Sequence, residues 1–124
     1  MNVTKDVRDS VLKRANYQCE FCHGSLHAMS IHHRVPRQMG GSKASYINEA
    51  VNLLALCGSG TTGCHGEVES NRARAYELGL LVHRGYYPEN VPYFDKMGHW
   101  WLLHEDTKIA IEFPFPHTTP GLTS

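Results

Sequence analysis

Net charge is the first thing this chain lacks: 12 Lys and Arg stand against 12 Asp and Glu over 124 residues. Nucleic-acid binding through bulk positive charge is therefore excluded, and any such binding must come from local patches or bound metal ions. Long apolar runs are also missing. No stretch approaches the ~20 residues needed to span a membrane, and the opening MNVTKDVRDS has no apolar signal-peptide core. No internal repeat occurs. Cysteine is limited to four residues, grouped as Cys19/Cys22 and Cys57/Cys64. With no sign of secretion, a reducing cytoplasm is the expected setting, and there paired cysteines are more often metal ligands than disulfides.

What is present supports one folded domain. Hydrophobic residues make up 41% and charged residues 19%, which allows a core and argues against disorder. A domain this small buries a modest fraction of its surface, so a metal staple would help it. Histidine is plentiful at nine residues, and it is both the commonest metal ligand and the usual general base near neutral pH.

Hydrophobic spacing predicts a helix over 4–16, with Val3, Val7, Val11 and Leu12 on one stripe, Thr4 as N-cap, Asp6 in the first turn, and Lys13 and Arg14 near the end. Residues 28–35 read as a strand closed by Pro36, residues 37–50 as a polar loop, and Val51–Leu56 as a second strand. A helix over about 64–78 is expected to stop at Gly79. Short strands are expected at Leu80–Val82, Val91–Phe94, Trp100–Leu103 and Ile109–Ile111, forming a small antiparallel extension over about 81–113. Residues 114–124 read as a loose tail.

Cys19-x2-Cys22 can grip one tetrahedral ion from a single turn, and a second pair closes such a site. Cys57-x6-Cys64 is a wider pair, made feasible by three glycines in its insert. Four thiolates leave no open position for water, so a zinc held here is structural. The alternatives are four buried free thiols or a disulfide within one pair. His23 is read as a polar turn residue that could substitute as a ligand.

A second constellation comprises His32-His33, Asn52 and His65, the last directly after Cys64. Strand–loop–strand–helix would gather these around one metal. The segments VLKRANYQCEFC, HHRVPRQMGGS and NLLALC followed by CHGEVESNRARA resemble the HNH endonucleases, especially the small ones of bacteriophages and actinobacteria. The likeness covers about residues 7–80 and extends loosely to GHWWLLHED. Two departures stand out: the second knuckle is x6 where the family often has x2, and Glu69 stands where some relatives carry another His.

The resemblance implies an α+β fold: a ββα-metal core, about residues 7–80, stapled by a four-cysteine zinc site and carrying the C-terminal β extension, all within one domain over 1–113. It implies DNA as substrate, a phage terminase as a partner, and products with 5′-phosphate and 3′-hydroxyl ends. It gives His33 the role of general base, His32 and His65 that of ligands to a catalytic divalent ion (manganese, cobalt, nickel or magnesium), and Asn52 that of holding the His33 loop. The residue types suit phosphodiester hydrolysis independently, because an imidazole can activate water and a single cation can relieve phosphorane charge.

Helical spacing puts Glu69 one turn after His65, as a third ligand or as a solvated carboxylate paired with Arg72 or Arg74. Arg72 falls near the same face and could meet a phosphate, whereas Arg74 points away. Arg34 and Arg37, with Lys43, form an expected positive rim for DNA, against a reading as ordinary solubility charge. One objection comes from strand geometry: neighbouring residues face opposite ways, so His32 and His33 share a site only where the strand twists or ends. A non-catalytic zinc ribbon that binds nucleic acid or protein explains the cysteines but leaves the histidines and Asn52 without a role.

Overall fold

The computed structural model describes residues 3–25, 29–36 and 46–112. The chain is mixed α and β, with two small antiparallel sheets. Helix α1 spans Lys5–Arg14, and the Thr4 hydroxyl accepts the Val7 amide at 3.2 Å as its N-cap. The helix ends where Asn16 and Tyr17 turn left-handed at φ 55° and 58°. Strands β1 (Met29–His33) and β2 (Leu53–Cys57) pair antiparallel, with His32 opposite Leu54 and His33 opposite Leu53. A 3-10 turn, Ala50–Asn52, leads into β2, so Asn52 precedes the strand it was expected to open.

Four successive residues of β2, Leu53–Leu56, are fully buried. Their alternation explains it. Leu53 and Ala55 pack with Val11 and Ala15 of α1. Leu54 and Leu56 face the other way, onto Cys19, Cys64, Val68, Tyr93 and Leu103. The strand is thus the partition between two halves of the core.

The helix expected over about 64–78 is two helices, α2 (Gly63–Ser70) and α3 (Arg72–Glu77). Asn71 divides them at φ −138°, ψ 71°, and its side-chain oxygen accepts the Arg74 amide as the N-cap of α3. An asparagine bonds nearby backbone better as a cap than inside a helix, so it starts a helix in place of continuing one. Gly79 ends α3 at φ +74°, where an added Cβ would meet the Pro92 carbonyl oxygen at 2.0 Å.

Leu80–Val82 is buried but is not a strand. Leu80 and Leu81 donate to the Ala75 carbonyl, closing the end of α3, and Val82 donates to the Arg34 carbonyl at 2.8 Å. An apolar run tells burial, not hydrogen-bond partner. The C-terminal extension is a meander of β3 (Tyr93–Phe94), β4 (Trp100–Leu103) and β5 (Lys108–Ile111). Trp100 packs inward, and Trp101 donates its indole N–H to Asp95 at 2.8 Å. Among the described residues, no helix is long and apolar enough to cross a membrane. The tail over 114–124 lies outside the described residues.

Two buried polar networks fasten the meander to the rest. Arg14 and Glu20 form a two-point ion pair at 2.8 and 3.0 Å with both side chains fully buried. The Arg14 guanidinium also donates to the carbonyls of Ala50, Leu53 and His104. The Tyr93 hydroxyl donates to the Glu20 carbonyl at 3.0 Å, and the Lys108 ammonium donates to both the Tyr93 hydroxyl and the Glu20 carboxylate. The second network centres on buried Asp95, which accepts from the amides of Met97 and His99 and pairs with His23 at 2.7 Å. Burial works against the Asp95 charge, but the bonds from His23, His99 and Trp101 outweigh it and hold the carboxyl below its ordinary range. His23 is therefore committed to Asp95.

Candidate metal centres

The first Cys pair sits on a tight turn after α1. The Cys19 amide donates to the Gly24 carbonyl at 2.9 Å, and the amides of Cys22 and Gly24 approach the sulfurs of Cys19 and Cys22 at 3.4 Å each. His23 completes the turn at φ 64°. Such N–H groups aimed at sulfur favour thiolate.

The second pair solves its six-residue insert by pinching it at the base. Ser59 and Thr62 bridge each other through backbone bonds, and the Thr62 hydroxyl takes the Ser59 amide at 3.0 Å. Gly58 and Gly63 lie at φ +88° and +62°. A Cβ on Gly58 would stand 2.0 Å from the Thr62 carbonyl oxygen, and one on Gly63 2.6 Å from that of Cys57. Only glycine fits either position. The pinch brings the Cys64 amide to 3.4 Å from the Cys57 sulfur, so the pair closes as a shorter spacing would.

All four sulfurs lie within 4.8 Å of one another, and those of Cys22 and Cys57 are 3.9 Å apart. Sulfurs bound at ~2.3 Å to a tetrahedral zinc lie about 3.8 Å from each other, whereas a disulfide needs about 2.05 Å. The cysteines are unpaired, and their spacing could hold a metal ion such as zinc. Burial raises Cys19 and Cys64, while at Cys22 the bonds from the Gly24 amide and the neighbouring thiols outweigh burial and lower it.

One ligand atom each from His32, His65 and Glu69 also lies within 4.8 Å of the others. β1 supplies the buried His32, and α2 supplies His65 and Glu69 on one face, one turn apart. The two imidazole rings meet edge-on with centroids 5.2 Å apart. His65 Nε2 stands 3.8 Å from a Glu69 oxygen, and its buried Nδ1 has no hydrogen-bond partner among the described residues. An orphaned buried polar atom is costly and calls for a bound water or ion. His32 Nε2 lies 2.7 Å from the Leu80 carbonyl, which can only accept, so Nε2 carries the proton and Nδ1 is the lone-pair nitrogen. Burial, with the neighbouring charges of His65 and Arg34, pushes His32 down to about 3, and burial also lowers His65. Both imidazoles are neutral at physiological pH, the form that ligates metal. Two imidazoles and a carboxylate form a donor set that fits a divalent transition ion.

His33 does not join this triad. Strand alternation turns it away from His32, and its Nε2 bonds the Asn48 side-chain oxygen at 2.9 Å. Asn48 was not anticipated; it lies in a loop with no periodicity to mark it. Asn52 is fully buried. Its oxygen accepts the Val35 amide at 2.8 Å, and its amide donates to the carbonyls of Val35 and Ile47 at 3.3 and 2.9 Å. It ties together the two ends of the segment that follows β1.

Glu69 serves two neighbours, since its other oxygen accepts from Arg72 at 2.8 Å. Arg72 therefore stands beside the triad, while Arg74 pairs with Glu77. Arg34 corrects the expected rim. It is completely buried, and its guanidinium donates to the carbonyls of Gly79, Val51, Pro88 and Val91. A side chain spent on four internal carbonyls cannot meet a phosphate. Burial lowers its pKa to about 9, which still leaves it charged at neutral pH. Arg37 and Lys43 lie outside the described residues. No protein-family model, curated protein or solved structure matches the chain.

Proposed function

We propose that this protein is a metal-dependent endonuclease that hydrolyses DNA phosphodiester bonds, as its resemblance to the HNH enzymes implies. The observation that carries the reading is the convergence of His32, His65 and Glu69, with a buried His65 nitrogen unsatisfied among the described residues, one residue from the four-cysteine cluster. A divalent cation at this triad would relieve charge on the phosphorane and assist the departing 3′ oxygen. The antiparallel pair β1–β2 followed by α2 is the element order that a ββα-metal core requires.

The chain's own residues supply the remainder. His33, at the end of β1, takes the proton from the attacking water, its ring held by the Nε2 bond to Asn48. The Asn48 oxygen orients the ring and stabilises the imidazolium that forms. Asn52 fixes the backbone on both sides of the His33 loop. Arg72 stands near the triad to meet a substrate phosphate, released from or shared with Glu69. Zinc at the four cysteines holds the base of α2, and so the position of His65.

A non-catalytic zinc ribbon predicts none of this convergence. Plasmid cleavage by the wild type and by His33→Ala across several divalent ions separates the readings. Metal-dependent nicking lost in the variant supports the nuclease; absence of nicking with every ion leaves the ribbon.

A further inference from the structure

We propose that the exposed loop 83–87, His83-Arg84-Gly85-Tyr86-Tyr87, is the surface on which this protein grips nucleic acid, and that it selects DNA with unpaired bases by stacking. The inference deepens the endonuclease reading and rests on it for the reaction, though not for the binding.

The loop emerges beside the histidines. Residues 80–82 run alongside the end of β1, where the Leu80 carbonyl takes the His32 Nε2–H and the Val82 amide donates to the Arg34 carbonyl at 2.8 Å. Five exposed residues follow, and the chain is buried again at Pro88. Arg34 clamps the loop's base, taking Gly79 on one side and Pro88 and Val91 on the other. Gly85, at φ +93° with nothing near its Cβ position, makes the turn, and the Tyr86 amide closes it on the His83 carbonyl. A protruding loop with so stiff a base loses little entropy when it binds.

Its side chains are those that hold bases and phosphates. Tyr86 and Tyr87 are 61% and 60% exposed, in a chain that buries Tyr93 and Trp100. Two rings of the loop are each backed by a second ring. His83 lies parallel on Tyr76 at 3.9 Å and 2°, and Tyr87 meets Tyr46 edge-on at 6.1 Å. A backed ring is already held in one orientation, and its outer face can extend the stack onto a base. Tyr46 stands two residues before Asn48, the partner of His33, and Tyr76 stands one turn after Arg72 on α3. The loop thus touches α3, the helix that opens with Arg72, and Tyr46, close in sequence to the Asn48 that bonds His33. Arg84 forms no ion pair among the described residues and offers its charge to a phosphate.

The occupant follows from geometry. A base pair inside a duplex hides both faces of each base, whereas a flap, bubble or single strand exposes them, and every base has a stackable face. On a chain with no net charge, stacking must supply what bulk electrostatics does not.

The test is fluorescence anisotropy with the zinc-loaded full chain and no added catalytic ion. The probes are a labelled single strand, the same sequence as a blunt duplex, and a duplex with a central unpaired bubble. The wild type should bind the single strand and bubble at least ~10-fold more tightly than the duplex. Tyr86→Ala with Tyr87→Ala should erase that preference, a loss of roughly 10-fold per ring, while Tyr86→Phe with Tyr87→Phe should keep it. Zinc content and thermal unfolding confirm that each variant is folded. Equal affinity for the duplex, or an alanine variant that binds like wild type, overturns the proposal. If the wild type nicks plasmid with manganese while the alanine variant binds normally, the loop fails and the endonuclease stands. If the loop binds unpaired DNA as expected but no ion supports nicking, the endonuclease reading fails and the platform stands.

Discussion

His32 gives its Nε2 proton to the carbonyl of Leu80 across 2.7 Å. That bond fixes the ring's tautomer and orientation and leaves Nδ1 as the nitrogen that could coordinate an ion. A metal-ligating histidine almost always donates its other N–H in this way. The bond also joins His32 to the segment that carries the exposed aromatic loop. Placement of the triad and placement of the loop are thus one structural problem, with Arg34 as the second fastening between the same two segments.

The pinched knuckle yields a comparison among three glycines. Gly63→Ala places a Cβ 2.6 Å from the Cys57 carbonyl oxygen at φ +62°, whereas Gly60→Ala meets nothing within 4 Å. Gly63→Ala and Gly58→Ala should each cost at least ~2 kcal/mol, from left-handed strain plus backbone overlap, and should loosen the metal. Gly60→Ala should be nearly neutral. Wild-type protein should carry about one zinc per chain, and Cys22→Ala should not fold, because binding energy at such sites is folding energy. Elemental analysis and thermal unfolding with and without a chelator check this. A Cys19–Cys22 disulfide in zinc-free folded protein would refute it.

The buried pair of Arg14 and Glu20 joins α1, β2 and the C-terminal meander. Glu20→Ala leaves a guanidinium buried without its carboxylate, a loss of about 3–5 kcal/mol. Lys5→Ala, which breaks an exposed pair on α1, should leave stability almost unchanged. Urea unfolding at fixed zinc compares the two. Similar midpoints for both variants would mean that the buried network is dispensable.

Much of this architecture could be read in advance, for local reasons. Thr4 and the Val7/Val11 stripe mark α1 because caps and periodicity act within one helical turn. Two cysteine pairs mark a cluster that could hold a metal ion, because ligand spacing is itself local. Most of what escaped depended on distant partners. Arg34 looks like a surface charge until carbonyls from positions 51, 79, 88 and 91 converge on it. The break at Asn71 was hidden because a cap and a helix-interior asparagine look alike until the following amide is placed. Leu80–Val82 has a strand's composition, yet its amides answer to Ala75 and Arg34. The partnership of His33 with Asn48 joins positions 15 apart in sequence, and residues 37–45 between them carry no regular sequence pattern.

Arg72 and Arg74 separate substrate contact from ordinary surface charge. Arg72 bonds Glu69, which in turn approaches His65, whereas Arg74 bonds Glu77 away from the triad. Arg72→Ala should weaken DNA binding or cleavage several-fold more than Arg74→Ala, as loss of one charged phosphate contact does. Both variants should unfold at wild-type temperature, since exposed helix pairs contribute little to stability. Equal losses in a binding titration would show that Arg72 has no special place at the site.

The ion expected at the proposed site follows from its donors, and its dependence on each residue separates holding a cation from moving a proton. Two donors at the triad are imidazole nitrogens and one is a carboxylate. Magnesium prefers oxygen and gives up water reluctantly, whereas manganese, cobalt and nickel accept imidazole readily. Cleavage should therefore be faster with manganese, cobalt or nickel than with the same concentration of magnesium. Glu69→Ala should widen that difference by removing the only oxygen donor of the triad. His65→Ala should lose both ion binding and cleavage, because it removes one of the two imidazoles of the triad. His33→Ala should still bind the ion, since its ring bonds Asn48 and lies outside the triad, yet it should lose cleavage by about 10²–10⁴-fold, the usual contribution of a positioned base. Calorimetric manganese titration beside plasmid nicking, on zinc-loaded protein, measures both quantities for each variant. Loss of manganese binding in His33→Ala would move that residue into the coordination sphere, and undiminished nicking would remove it from the chemistry.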